Sequence, residues 1–151
     1  MNPRSIINSI AISHDGTRIA SGSDNKLVRI WDSHTGALLL DPLQGHTSWV
    51  LSVAWSHDDT RLASASADIT VRVWDAHTGT AIGEPLRGHT GQVQSVVFLH
   101  DSSRIVSGSD DKTILIWDAR TGSRIGKQLR GHTGQVTLVA VSHDRGPVVL
   151  L

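Results

Sequence analysis

Residues 88–119 read GHTGQVQSVVFLHDSSRIVSGSDDKTILIWDA. A histidine, a serine and an aspartate (His89, Ser107 and Asp111) fall within this one span, and these are the side chains of a hydrolytic triad. The stretch therefore poses a choice between chemistry and architecture. The rest of the chain decides it, because the same stretch occurs more than once. Trp-Asp pairs stand at Trp31-Asp32, Trp74-Asp75 and Trp117-Asp118, a spacing of 43 residues. Gly-His pairs at Gly45-His46, Gly88-His89 and Gly131-His132 keep the same spacing, as do His-Asp pairs at residues 14, 57, 100 and 143. Three separate markers with one period define a repeat.

Each unit reads as short strands. Behind Gly-His comes an apolar run (VLSVAWS, 50–56; VQSVVFL, 93–99), then a polar turn at His57-Asp58-Asp59 or His100-Asp101-Ser102. RLASAS and RIVSGS follow, then a turn at Ala67-Asp68-Ile69 or Asp110-Asp111-Lys112, then TVRVWD and TILIWD. A reversal at AHTG or ARTG leads into a weaker outer strand, TAIGEPLR or SRIGKQLR. β-Branched runs between Gly, Asp and Ser clusters are the mark of strands joined by tight turns. The expected fold class is all-β, built of four-stranded units.

Composition excludes several functions. Fourteen basic residues balance fourteen acidic ones, so the chain lacks the positive field that draws proteins to nucleic acid or to an anionic membrane. Neither partner is expected. With no cysteine, disulfides and thiolate metal sites are ruled out. No stretch approaches the roughly 20 apolar residues of a membrane helix, and MNPRSIINSI has no signal-peptide core. A cytoplasmic, intracellular protein is expected.

A Gly-His to Trp-Asp unit of four strands resembles the WD40 repeat of β-propellers, and the likeness covers essentially the whole chain. The joints of the type DARTGSRIGKQLRGHTGQV are also similar to the uniform WD40 arrays of fungal signalling NTPases of the STAND/NACHT type. The resemblance implies a partial, open propeller of about 3.5 units. Residues 1–44 form a first blade lacking its Gly-His, 45–87 a second, 88–130 a third and 131–151 an incomplete fourth. It also implies hydrogen-bonded tetrads, one of His46, Ser64, Asp68 and Trp74 and another of His89, Ser107, Asp111 and Trp117. Donor and acceptor types support this independently: Trp only donates, Asp only accepts, and Ser and His do both. A motif repeated in successive units fits a fold better than one active site, and no G-x-S-x-G elbow is present. No catalytic residue is expected.

Other chemistry is weaker still. His14, His57, His100 and His143 recur one per turn without local ligand partners, so no metal or cofactor is expected. GSRIGKQ (122–128) has three residues between its glycines and Gln128 where a phosphate loop needs Ser or Thr. Trp55 aligns with Ile12 and Phe98 as core, whereas Trp49 takes a slot held by Gln92 and Gln135. By resemblance the face carrying the Gly-His joints is the contact surface for a protein or peptide partner. The candidate binding residues there are Asp24, Ser48, Trp49, Ala67, Gly91, Gln92, Asp110 and Gln135.

The first unit has Asn25 at the tetrad aspartate and Asn2-Pro3 at the Gly-His, and the fourth reaches Leu150 at the serine position. Two uncovered apolar blade faces are expected as a result. That makes the chain a fragment of a longer propeller, completed by further WD40 repeats. The alternative is a half-propeller that associates with a second copy as an oligomerisation element, and a Ser-His-Asp hydrolase comes last.

Overall fold

The computed structural model describes residues 5–142. Nine strands make three antiparallel sheets of three. β1 (Ile7–Ile12), β2 (Arg18–Ser23) and β3 (Val28–Asp32) form the first, and β4 (Val50–Trp55), β5 (Arg61–Ser66) and β6 (Val71–Asp75) the second. The third holds β7 (Val93–Phe98), β8 (Arg104–Ser109) and β9 (Ile114–Asp118). No helix occurs among the described residues. Each first strand carries a bulge at the same place, after Ile7, Val50 and Val93.

The outer strand of each unit is reduced to two isolated bridges, such as Val71 with Leu86 and Trp74 with Ala81. Its sequence explains this. Gly83 and Gly126 sit at positive φ, and Pro42 and Pro85 lack the N–H a continuous ladder needs.

The core lies between sheets. Val28, Ile30 and Leu43 of the first sheet's face pack with Val50, Val53 and Trp55 of the second, and Val71, Val73 and Ala65 pack with Val93, Val96 and Phe98 of the third. The middle strands β5 and β8 are therefore buried on both faces. Close approach is built in: a Cβ on Gly22 would lie 2.6 Å from Val50 Cγ1, and one on Gly108 2.6 Å from Val136 Cγ1.

Polar locks repeat at each junction. Ser9 Oγ accepts from Val53 N–H (3.1 Å), Ser52 Oγ from Val96 N–H (3.2 Å) and Ser95 Oγ from Val139 N–H (3.1 Å). Arg18 donates to the carbonyls of Asp59 (2.7 Å) and Ala76 (3.1 Å), and Arg61 to those of Ser102 (2.6 Å) and Ala119 (3.2 Å). These guanidinium forks fasten one sheet to the next through atoms present in every unit.

One expectation needs correction. Trp55 and Phe98 are core, but Ile12 is 61 % exposed, as are Ile7 and Ile10 to similar degree. Position within a unit does not bury a side chain; the sheet on its other side does, and none of the described residues covers this face. The opposite end differs as well. There Val136 and Val139 of the fourth unit cover part of the third sheet with Leu99 and Val106, while Leu138 on the same segment is 76 % exposed. No ladder strand forms in that segment among the described residues. Asn2-Pro3, His143 and Leu150 lie outside the described residues.

Candidate functional site

The two quartets come together at the same end of the second and third sheets. In the second, Trp74 Nε1 donates to Ser64 Oγ at 2.8 Å, His46 Nε2 lies 2.7 Å from that oxygen, and His46 Nδ1 lies 2.8 Å from Asp68 Oδ2. In the third, Trp117 Nε1 donates to Ser107 Oγ at 2.9 Å, and His89 spans Ser107 Oγ and Asp111 Oδ2 at 2.8 Å each. A carboxylate only accepts, so each Nδ1 carries the proton and each Nε2 accepts from serine. The chain of donors runs indole to hydroxyl to imidazole to carboxylate.

The strands explain the convergence. Ser64 pairs with Arg72 and Ser107 with Leu115, so each serine sits at the centre of its sheet with the tryptophan two residues along the next strand. The aspartates begin the following turns. Thr70 and Thr113 complete them, their hydroxyls donating to Asp68 and Asp111 Oδ1 at 2.6 Å each. Sequence reasoning missed these threonines, although both stand two residues after the aspartate where the first unit has Leu27.

Electrostatics hold the aspartates ionised. Burial works against the Asp68 charge, but hydrogen bonds from His46, Thr70 and the Thr47 N–H outweigh it and keep the carboxyl well below the usual carboxylate range. Burial likewise opposes the Asp111 charge. Thr113, the Thr90 N–H and His89 overcome it and lower the carboxyl to about 2.

The order of groups is that of a nucleophilic triad, but its setting is not. Ser64 and Ser107 are wholly buried, and each oxygen already receives an indole N–H. An attacking serine needs room for a substrate carbonyl and donors for its oxyanion. A groove of about 540 Å³ at the second junction is lined by Asp58, Thr60, Arg61, Asp101, Ser102 and Arg120, at the strand ends away from the quartets.

The first sheet has only a remnant. Trp31 Nε1 donates to Ser21 Oγ at 2.9 Å, while Asn25 turns to Leu27 N–H and Ser5 Oγ. His132 is exposed, and the position aligned with the quartet serine, Leu150, lies outside the described residues.

The candidate rim residues lie on the quartet side. Ala67 N–H donates to the Trp49 carbonyl (2.9 Å), and Ser66 Oγ to the Ser48 carbonyl (3.2 Å). Asp110 N–H donates to the Gln92 carbonyl, and Ser109 Oγ to the Gly91 carbonyl, both at 3.0 Å. Asp24 binds Ile6 in both directions, and Gln135 precedes Val136, whose N–H donates to Ser109. Trp49 is 55 % exposed.

At the opposite end the turn histidines form a line that sequence reasoning missed: His14 and His57 have ring centroids 4.0 Å apart, and His57 and His100 3.9 Å. Their 43-residue spacing was the available signal. Among the described residues, no group of three or more potential ligands is placed to hold a metal. Residues 122–128 form a turn and part of an outer bridge at Arg124. No helix of the described residues is long and apolar enough to cross a membrane.

Comparison with known proteins fixes the family. The WD domain, G-beta repeat matches residues 2–32, 38–75 and 79–118. The chain belongs to the WD40 repeat family. Solved WD40 structures share the fold. The crystal structure of RRP9 WD40 repeats is similar with a TM-score of 0.84 at 24 % identity, over 91 % of this chain and 42 % of that one. The structure of U3-55K is similar with a TM-score of 0.82 at 23 % identity, over 91 % and 43 %. This WD40 chain thus spans less than half the length of those structures. Among curated proteins, none matches it. WD40 repeats generally serve as non-catalytic platforms for protein–protein interaction.

Proposed function

We propose that this WD40 chain is a non-catalytic interaction scaffold that binds a protein or peptide through the rim bearing Asp24, Ser48, Trp49, Ala67, Gly91, Gln92, Asp110 and Gln135. The observation that carries this reading is Trp49, a large side chain left more than half exposed on a loop that stiff sheets hold in place. In this reading the quartets tie the Gly-His joint to the turn of the same sheet, and the setting is intracellular. Selection of a random peptide library on the folded chain tests it. Selected peptides are expected to bind the Trp49→Ala variant at least ~10-fold more weakly, since a hot-spot aromatic is worth about 2 kcal/mol or more. The thermal midpoint should stay unchanged. A collapsed fold would make Trp49 core, and undiminished binding would remove it from the site. A fluorophosphonate probe should leave Ser64 and Ser107 unlabelled in the folded chain; labelling of either would establish a nucleophile.

The open face of β1 favours a second reading, in which the chain is part of a longer propeller or pairs with a second copy. Ile7, Ile10 and Ile12 occupy the positions that Val50, Val53 and Trp55 use to pack on the preceding sheet. Sedimentation velocity distinguishes the forms. A discrete dimer that Ile10→Lys dissociates supports pairing, polydisperse aggregate supports a fragment, and a stable monomer contradicts both.

A further inference from the structure

Three equivalent turns stand along the rim: Asp24-Asn25-Lys26, Ala67-Asp68-Ile69 and Asp110-Asp111-Lys112. The outer two agree at their first and third positions, aspartate and lysine, where the middle one has Ala67 and Ile69. The loop beside it carries Trp49 where the third sheet has Gln92. Ala67 N–H holds the Trp49 carbonyl at 2.9 Å, which sets the Trp49 loop against the turn that carries Ile69. In the first unit Ile6 holds the slot of Trp49 and is 65 % exposed, and Asn8, two residues on, donates from Nδ2 to the Val50 carbonyl at 3.1 Å, tying the start of the first sheet to that of the second.

Ile69 is the telling member. Its φ is 73°, like the 73° of Lys26 and the 70° of Lys112. A lysine side chain is unbranched at Cβ, but isoleucine in this left-handed region is strained. Burial offsets this only in part, since Ile69 remains 38 % exposed. A strained, exposed, apolar residue at a position otherwise held by lysine points to recognition.

The surroundings specify what is recognised. Lys26 and Lys112 are exposed on either side of the patch. The flanking aspartates are half-buried, with Asp24 Oδ1 accepting the Ile6 N–H at 2.9 Å and Asp110 Oδ1 buried. The more exposed charge on each flank of the apolar centre is thus the lysine.

We infer that Trp49, Ile69 and Ile6 anchor one bulky aliphatic or aromatic side chain of an extended protein segment, whose flanking acidic residues pair with Lys26 and Lys112. This rests on the rim reading above and names its partner class. The probe is a set of synthetic peptides with a central leucine or phenylalanine between paired glutamates, beside alanine-centred and lysine-flanked controls. Fluorescence anisotropy is expected to give at least ~10-fold weaker binding for both controls and weaker binding as salt rises. The protein variant Trp49→Gln/Ile69→Lys gives the second sheet the residues of the third at those positions. It should lose at least ~10-fold in affinity, with a melting midpoint unchanged or raised. Equal binding by that variant, equal binding of lysine-flanked peptides, or no binding of any peptide in the set overturns the inference. Amide shifts on adding the glutamate-flanked peptide separate the two levels. Shifts at Ser48, Trp49 and Ile69 support the anchor; shifts confined to Gly91, Gln92 and Gln135 leave the rim reading standing and remove the anchor. Shifts confined to Ile7, Ile10 and Ile12 remove both.

Discussion

Trp74→Ala is expected to cost about 3–5 kcal/mol, the usual range for truncating a buried aromatic. Trp74 is 1 % exposed, packs within the core between the first and second sheets, and supplies the donor that begins its quartet. Its removal leaves a cavity and takes away the N–H that Ser64 accepts. Domains of this kind have only about 5–15 kcal/mol to lose, so one such change brings the chain close to unfolding. The comparison with Trp31→Ala makes the claim specific. Trp31 donates to Ser21 in the same way but is only half-buried, and no histidine or aspartate continues the chain. Its loss should cost less than half as much. Urea unfolding monitored by circular dichroism would measure both. Equal costs, or a neutral Trp74→Ala, would show that the full quartet contributes nothing beyond a serine–indole pair.

Acid is expected to destabilise the fold in a defined window. Asp111 titrates at about 2 in the folded chain and Asp68 lower still, against about 3.9 for an unfolded aspartate. A depressed carboxyl stabilises the fold above its unfolded pKa, and that contribution drains away as pH falls from about 4 through the folded value. Allowing for solvent screening, each of the two is worth about 1–2 kcal/mol. Turn aspartates push the same way: the Thr35, Thr78 and Thr121 N–H groups lower Asp32, Asp75 and Asp118. Thermal midpoints between pH 5 and pH 2 should therefore fall, and Asp68→Asn with Asp111→Asn should flatten the slope while lowering the starting point. A slope unaltered by the double change would assign acid sensitivity to the turns alone.

The sequence made the period, the three sheets and the meeting of each quartet legible for one reason. Identical side chains at identical intervals expose a geometry that a single copy hides. Ser64 and Ser107 are unremarkable until each is seen to stand the same distance from a histidine, an aspartate and a tryptophan. What could not be read depends on what lies beyond a unit. Ile12 shares its register with Trp55 and Phe98, yet its burial depends on a neighbouring sheet. That Val136 and Val139 of the incomplete fourth unit pack on the third sheet could not be read from the period alone. The Arg18 and Arg61 forks join carbonyls, which no side-chain pattern marks. Ile69 lay open to view as an isoleucine aligned with lysines, but only its backbone angle shows the substitution to be costly.

The junction locks have a consequence for how such a chain can change. The serine locks, the arginine forks and the histidine stack each link a residue to its neighbour unit at a fixed offset, with the same atoms at successive steps. A duplicated unit of whole length would find matching partners before and behind it, whereas an insertion between a donor and its acceptor would have to loop out to keep them in step. Growth or shrinkage by entire modules is thus nearly neutral for assembly, which frees individual rims such as that of the second sheet to diverge.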